Sequence, residues 1–353
     1  MPTSETMSET SAKKTPVWID ALLLAAELAA RQVYWRMPRL RAWVKRRRAG
    51  RRRMPQTADR EELKKHLRSI GVTEGALVMA HTSISGLRLT AGKGTVGKET
   101  VPFSSDENRG SPPANSLLVA RQLVDDLLEL VGESGTLVMP THALYQNENQ
   151  GVCSEDSACP VVYDPTSTPC GVGLANELFW RRKGVQRSLH PYNTLAACGP
   201  LAAELLHDNL NDAKPLAHGV HSAYYRFCLH DGLIISVGVP LGPYMTLVHT
   251  AEDVRDQDWR IPGFFEEKRY LVRAEGRERE WTVRQRRPVY GMFCLCMRKF
   301  IRDLLREGIL HEDAVGSVRV DWAPAREVFE FLMQRNRLSP YPYYGSWLVK
   351  TRK

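Results

Sequence analysis

"SLLVARQLVDDLLELVGESGTLVMPT", Ser116 to Thr141, holds the two patterns that set the fold class. Its first part places apolar residues at three- and four-residue spacing, so Ser116–Gly132 reads as a helix stopped at a glycine. Its second part, Gly135–Thr141, is a short apolar run bounded by turn residues, which reads as a buried strand. A helix followed at once by a strand apolar on both faces is the repeating unit of a layered α/β protein.

The same alternation extends in both directions. "REELKKHLRSIG" (Arg60–Gly71) reads as an amphipathic helix and "GALVMAH" (Gly75–His81) as a buried strand. Downstream come a helix in "LANELFWRR" (Leu174–Arg182), a strand start after Pro191 and a strand in "DGLIISVGV" (Asp231–Val239). "KRYLVRAEG" and "REREWTVRQ" form a hairpin, and helices lie near 293–306 and 323–335. The class is α/β, a mainly buried sheet covered by helices.

With 353 residues, 43% hydrophobic and 25% charged, the chain can bury a sizeable core as one large or two medium domains. Seven irregularly spaced cysteines suit a reducing compartment, and a cytoplasmic protein is expected. The net charge of +9 is local. Between Arg31 and Arg53 stand eleven Lys/Arg and no acidic residue, whereas 54–353 carry equal numbers of each sign.

Ahead of that block, the polar residues 1–16 read as disordered, and "WIDALLLAAELAARQVYW" (Trp18–Trp35) as an apolar helix interrupted by Asp20, Glu27 and Arg31. Those charges argue against a membrane span, and the flanks do not suit a signal peptide. An apolar helix beside a polybasic run fits an anchor on an anionic membrane face through residues 18–53, peripheral on the inner face; a solvated basic helix or a nucleic-acid tether fits the same composition. Pro38, Gly50 and Pro55 suggest an arm separate from the main fold. The division expected is 1–57 for the disordered start and arm and 58–353 for one domain, with a mobile insertion at about 92–115.

Several motifs fail on context. "GKGTVGKE" (Gly92–Glu99) satisfies Gly-x-Gly-x-x-Gly, but the next residues, "TVPFSSDENRGSPP" (Thr100–Pro113), cannot form the helix whose N-terminus would hold a phosphate, and Glu99 stands where a hydroxyl is needed. Cys153, Cys159 and Cys170 lack paired zinc-ligand spacing, and no metal is expected. Neither a Gly-x-Ser-x-Gly elbow nor a His-Glu-x-x-His occurs.

Four polar stretches at strand ends survive: "AHTSISGL" (Ala80–Leu87), "MPTHA" (Met139–Ala143), "RSLHP" (Arg187–Pro191) and "TLVHTAED" (Thr246–Asp253). Ligands of open α/β sheets bind beyond strand C-termini, so these groups can converge. Locally, His190 between Leu189 and Pro191 reads as a packed histidine before a working one.

These stretches resemble the aminoglycoside 3-N-acetyltransferase family. The resemblance rests on His81-Thr82-Ser83-Ile84-Ser85, Gly135 to Thr141, Asp164-Pro165 with Thr168-Pro169, Arg187 to Pro191, Ala196 to Gly199 and Thr246 to Glu252, in order over about 60 to 255. It implies a sandwich with a central mixed sheet covered by helices, here with an N-terminal helical basic arm, and direct transfer of acetyl from acetyl-CoA to a sugar amine. By resemblance, His190 corresponds to the catalytic histidine, with His81 and Glu252 at functional positions near it. Thr82, Ser83, Ser85 and Thr246 line up near the pantetheine and thioester, and Asp164 and His249 are expected at the substrate.

Chemistry asks for matching parts: an imidazole to take the ammonium proton, a carboxylate to hold that imidazole, and donors for the oxyanion. His190, Glu252 and Thr246 are expected in those roles. An acyl-enzyme through Cys198 or Cys170 is disfavoured, since family members work without a nucleophilic cysteine. The chain departs from the family pattern at Gly219-Val220-His221-Ser222-Ala223, where a proline is lost, and at the insertion. Because the body is electrically balanced, the expected acceptor is an amino sugar of a cell-envelope glycan or glycolipid; the alternatives are an aminoglycoside drug or an inactive membrane-associated scaffold. Nucleic acid is not expected as a partner, and the oligomeric state is open, with a homodimer among the options.

Overall fold

The computed structural model describes residues 17–50, 56–85, 87–90, 114–145, 160–259, 261–287, 290, 295–338 and 343–344. Two helices, α1 (Val17–Arg36) and α2 (Pro38–Gly50), precede β1 (Gln56–Asp59), α3 (Arg60–Ser69), β2 (Leu77–Thr82) and β3 (Leu87–Thr90). Next come α4 (Ala114–Val131), β4 (Thr136–Pro140), β5 (Val161–Tyr163), α5 (Leu174–Trp180), β6 (Gln186–Arg187), β7 (Leu195–Cys198), α6 (Ala202–Leu206), α7 (Ala223–Leu229) and β8 (Leu233–Val237). The remainder is α8 (Thr250–Asp253), β9 (Phe265–Ala274), β10 (Arg277–Arg286), α9 (Met297–Arg306), β11 (His311–Val315), β12 (Val318–Pro324) and α10 (Ala325–Leu338).

Seven strands form the main sheet in the order β11-β12-β8-β2-β4-β7-β6. The centre is parallel: β2 pairs with β4 (Met79 opposite Val138) and with β8 (His81 opposite Ser236). Both flanks are antiparallel, β7 against β4 and β12 against β8, so the sheet is mixed. Each central strand is buried on both faces, as its unbroken apolar sequence requires. Alternation then sorts the side chains. Val78, Ala80, Leu137 and Met139 pack under α3, α4 and α5 with Leu63, Leu67, Val124, Leu127 and Phe179. Met79 and Val138 face the other way, into a core with Tyr224, Phe227, Leu247, Phe300, Val328 and Leu332.

The covering helices form for local reasons. Asp59 caps α3, its carboxylate accepting from the backbone N–H of Glu61 (2.9 Å) and Glu62 (3.1 Å). Along α4, Ala120, Leu123, Val124, Leu127, Leu130 and Val131 are buried at helical spacing. The α4–β4 turn is tight: a Cβ on Gly135 would collide with the Val131 carbonyl, and one on Gly199 with the Gly135 carbonyl, so two turns abut through glycines.

A second sheet, β10-β9-β5, carries the expected hairpin, closed by Glu275 and Gly276, both at positive φ as a tight two-residue turn demands. α1 touches the main fold: Leu28 is 1% exposed, and the Cys296 thiol donates to Glu27 (3.0 Å). An apolar helix has more to gain by packing than by standing off. Of the insertion expected at 92–115, residues up to 113 lie outside the described set, as do residues 1–16, Cys153 and Cys159; Ala114 and Asn115 open α4.

Candidate active site

The "RSLHP" stretch is fastened from several sides. The Arg187 guanidinium donates to the carbonyls of Thr141 (2.7 Å) and Thr168 (2.5 Å) and stacks over Trp180, tying β6 to the loop after β4. Tyr163 Oη donates to the Ser188 carbonyl (2.6 Å) and Tyr145 Oη to the Pro191 carbonyl (2.5 Å). Ser188 Oγ accepts from the His190 backbone N–H (3.1 Å). His190 itself is buried, with Nδ1 3.0 Å from the Tyr192 carbonyl and Nε2 3.4 Å from the Pro215 carbonyl. Burial pushes this imidazole down to about 4, although both carbonyls favour its protonated form.

Around it stands a histidine cluster at the C-terminal ends of β2 and β4. His81, on β2, is buried and neutral, pushed down by burial to about 3, with a smaller contribution from His142. Among the described residues its Nε2 has no hydrogen-bond partner, and neither has the buried hydroxyl of Ser236, its neighbour across the strand pair. His142, two residues past β4, has its Nε2 3.5 Å from Tyr224 Oη and is pushed down to about 4 by burial, then by Arg187. The Thr246 hydroxyl lies against that of Tyr224.

Tyr224 meets the His218 ring edge-on at 4.2 Å, and His218 stacks on His249 at 5.7 Å. The buried His218 is held far below its ordinary range by desolvation, then by Arg286 and the neighbouring His190 and His142. Its backbone N–H donates to Asp253 (3.0 Å), whose carboxyl burial raises to about 7.

The expected carboxylate–imidazole pair exists with a different imidazole. Glu252 Oε2 lies 3.0 Å from His249 Nδ1, three residues before it on the same helical turn. It is therefore not the partner of His190, whose ring faces two backbone carbonyls. Arg286 Nη1 donates to the same Glu252 oxygen (2.9 Å) and also lies against His249 Nδ1, so that nitrogen faces a carboxylate and a guanidinium together, and Tyr344 Oη donates to the other Glu252 oxygen. Burial pushes the Glu252 carboxyl up, while the Tyr344 hydroxyl favours its ionised form. His249 keeps 12% of its side chain exposed.

The expected residues thus divide. His81, His190, Thr246, His249 and Glu252 come together. Thr82 turns to the opposite face, its hydroxyl donating to Asn176 (3.3 Å), and Ser83 and Ser85 sit on the more exposed turn beyond β2. Asp164 is spent on its own turn, accepting from the Thr166 backbone N–H (2.7 Å) and hydroxyl (2.6 Å). His142, His218, Tyr224, Arg286 and Tyr344 were not singled out from sequence; only His142, in a strand-end stretch, carried a signal there. Cys170 and Cys198 have thiols raised by burial, poor nucleophiles. Among the described residues, no group of three or more His, Cys, Asp or Glu is arranged to hold a metal ion.

Residues 115–336 match the family model described as aminoglycoside 3-N-acetyltransferase. The chain belongs to this family. Similar relatives are aminoglycoside N(3)-acetyltransferase IX of Micromonospora chalcea, 27% identical over 56% of this chain and 62% of its own length, and aminoglycoside N(3)-acetyltransferase IV of Salmonella sp, 28% identical over 57% and 61%. The match therefore spans less than two thirds of these relatives.

Two solved structures of aminoglycoside acetyltransferases share the fold. They are AAC(3)-Xa (TM-score 0.59, 22% identity, 79% of this chain and 93% of that one) and AAC-IIIb with CoASH (TM-score 0.60, 18% identity, 82% and 98%). The mixed sheet covered by helices is thus the fold of aminoglycoside 3-N-acetyltransferases, as the resemblance implied.

Proposed function

We propose that the chain transfers acetyl from acetyl-CoA to an amino group of an aminoglycoside. The observation that carries this reading is a buried imidazole cluster with a carboxylate-backed member, at strand ends, in a chain of this family. Relatives named for aminoglycoside acetylation support this acceptor over the cell-envelope glycan expected from net charge. The balanced charge of the body is a weak guide, because Glu252 and Asp253 place two carboxylates at the cluster itself.

In this reading the acceptor's ammonium loses a proton to His249 Nε2, whose other nitrogen faces both Glu252 and the Arg286 guanidinium that Glu252 holds. The carboxylate fixes the tautomer and balances the positive charge that forms. The amine nitrogen bonds to the thioester carbon, and collapse breaks the carbon–sulfur bond while the nitrogen's remaining extra proton passes to the departing thiolate, leaving the amide and the free thiol. Our reading places the base at His249 rather than at the expected His190, whose Nδ1 lies against the Tyr192 carbonyl and backbone N–H and whose Nε2 lies against the Pro215 carbonyl, contacts that suit a residue positioning these loops.

The unpartnered His81 Nε2 and Ser236 hydroxyl fit a ligand's carbonyl oxygen, and with Thr246 they supply oxyanion donors. The turn Thr82–Ser85 would hold the pantetheine.

Thiol release from acetyl-CoA, measured with an aminoglycoside panel and an envelope amino-sugar panel, tests the function. Turnover with aminoglycosides is expected. Turnover with envelope amino sugars alone would reassign the acceptor, and absence of both turnover and acetyl-CoA binding would favour the scaffold.

A further inference from the structure

Helices α1 and α2 run on through Met37, whose backbone N–H bonds to Val33 (3.0 Å) while its carbonyl accepts from Arg41 (3.0 Å). The inner side of α1 docks by Leu28 and Glu27. Along the rest of this helical pair Leu22, Ala26, Ala29, Val33, Met37, Leu40 and Val44 recur at three- and four-residue spacing, a single stripe.

From Leu22 to Met37 that stripe is exposed, while Leu40 and Val44 are half-buried. Leu22 is 61% exposed, Val33 48% and Met37 50%, with Trp43 at 50% beside its end. Ala26 and Ala29 are exposed between them. A helix with one apolar face on the protein and a second apolar face in water calls for another apolar phase.

We propose that this face lies on an anionic membrane surface. Charge complementarity selects that occupant: from Arg31 to Arg53 there are eleven basic and no acidic residues, while the body beyond is balanced. Arg36 and Arg39 are exposed at the stripe. A basic run next to a stripe of Leu, Val and Met matches the headgroup–acyl boundary, where the exposed Arg36 and Arg39 meet anionic headgroups. No described helix is long and apolar enough to cross a membrane, so the pair rests in the interface plane. This inference does not depend on acetyl transfer.

Co-sedimentation of the full chain with vesicles tests it. Binding is expected to phosphatidylcholine vesicles containing about one third phosphatidylglycerol and not to phosphatidylcholine alone, weakening as salt rises from about 0.05 M to about 0.5 M. The double substitution Leu22→Glu/Val33→Glu, and separately Arg36→Glu/Arg39→Glu, should each weaken binding about tenfold. Unchanged thermal unfolding certifies that each variant folds. Equal binding to neutral vesicles, no vesicle binding, or full binding by the apolar variants would overturn the proposal. A dimer that Leu22→Glu dissociates would instead assign the face to a second copy.

Discussion

His249 and Glu252 stand one helical turn apart, and that spacing places Nδ1 3.0 Å from Oε2 in a cluster with His142 and the buried His81, His190 and His218. A pair of this kind holds one nitrogen and leaves the other for chemistry.

Replacing Glu252 with Gln should keep the shape and remove the charge. We expect kcat to fall about 10²-fold with KM changed less, the size of a lost general-base partner. Steady-state kinetics with acetyl-CoA and an aminoglycoside read this directly; a rise in KM alone would make Glu252 a binding residue.

Arg187 ties three segments through the carbonyls of Thr141, Thr168 and Pro165 and lies over Trp180. Lysine cannot reproduce a planar fork. Arg187→Lys should destabilise the protein by about 1–3 kcal/mol, read by chemical denaturation.

Acidity should matter through opposing groups. His81, His142 and His190 sit at about 3 to 4 when folded, so each contributes stability above its unfolded value of 6.5 that is lost as pH falls through the folded values. Asp253, raised from 3.8 to about 7, works the other way: its contribution is present at low pH and is lost as pH rises through about 7. The histidines outnumber it, so stability should drop between pH 6.5 and 4, by up to about 1.4 kcal/mol per pH unit for each uncompensated group. Asp253→Asn should steepen that acid loss and raise stability at pH 8; denaturant midpoints across this range check both.

Much of the fold was legible because its signals are local. Ser116–Thr141 shows its helix and strand in side-chain spacing alone, and the Phe265–Arg286 hairpin in its alternation. β11 was not legible: "HEDAV" is mostly exposed and polar, and it is a strand only because β12 pairs with it.

The site was half legible for the same reason. Strand-end stretches marked His81, His190, His249 and Glu252, but their pairing depends on contacts distant in sequence. Pro215 reaches His190 across 25 residues, Arg286 reaches Glu252 across 34 and Tyr344 reaches it across 92. The role expected for His190 came from the resemblance, because nothing in the sequence shows that the Pro215 carbonyl, 25 residues on, will face its ring.

The most direct test is kcat for acetyl transfer to an aminoglycoside in His249→Ala and His190→Ala, each with its unfolding midpoint measured. The account predicts that His249→Ala loses about 10²–10⁴-fold in kcat while remaining folded. His190→Ala should lose mainly stability and keep most of its turnover below its unfolding midpoint. A folded His249→Ala with undiminished kcat, or a folded His190→Ala without turnover, would contradict it.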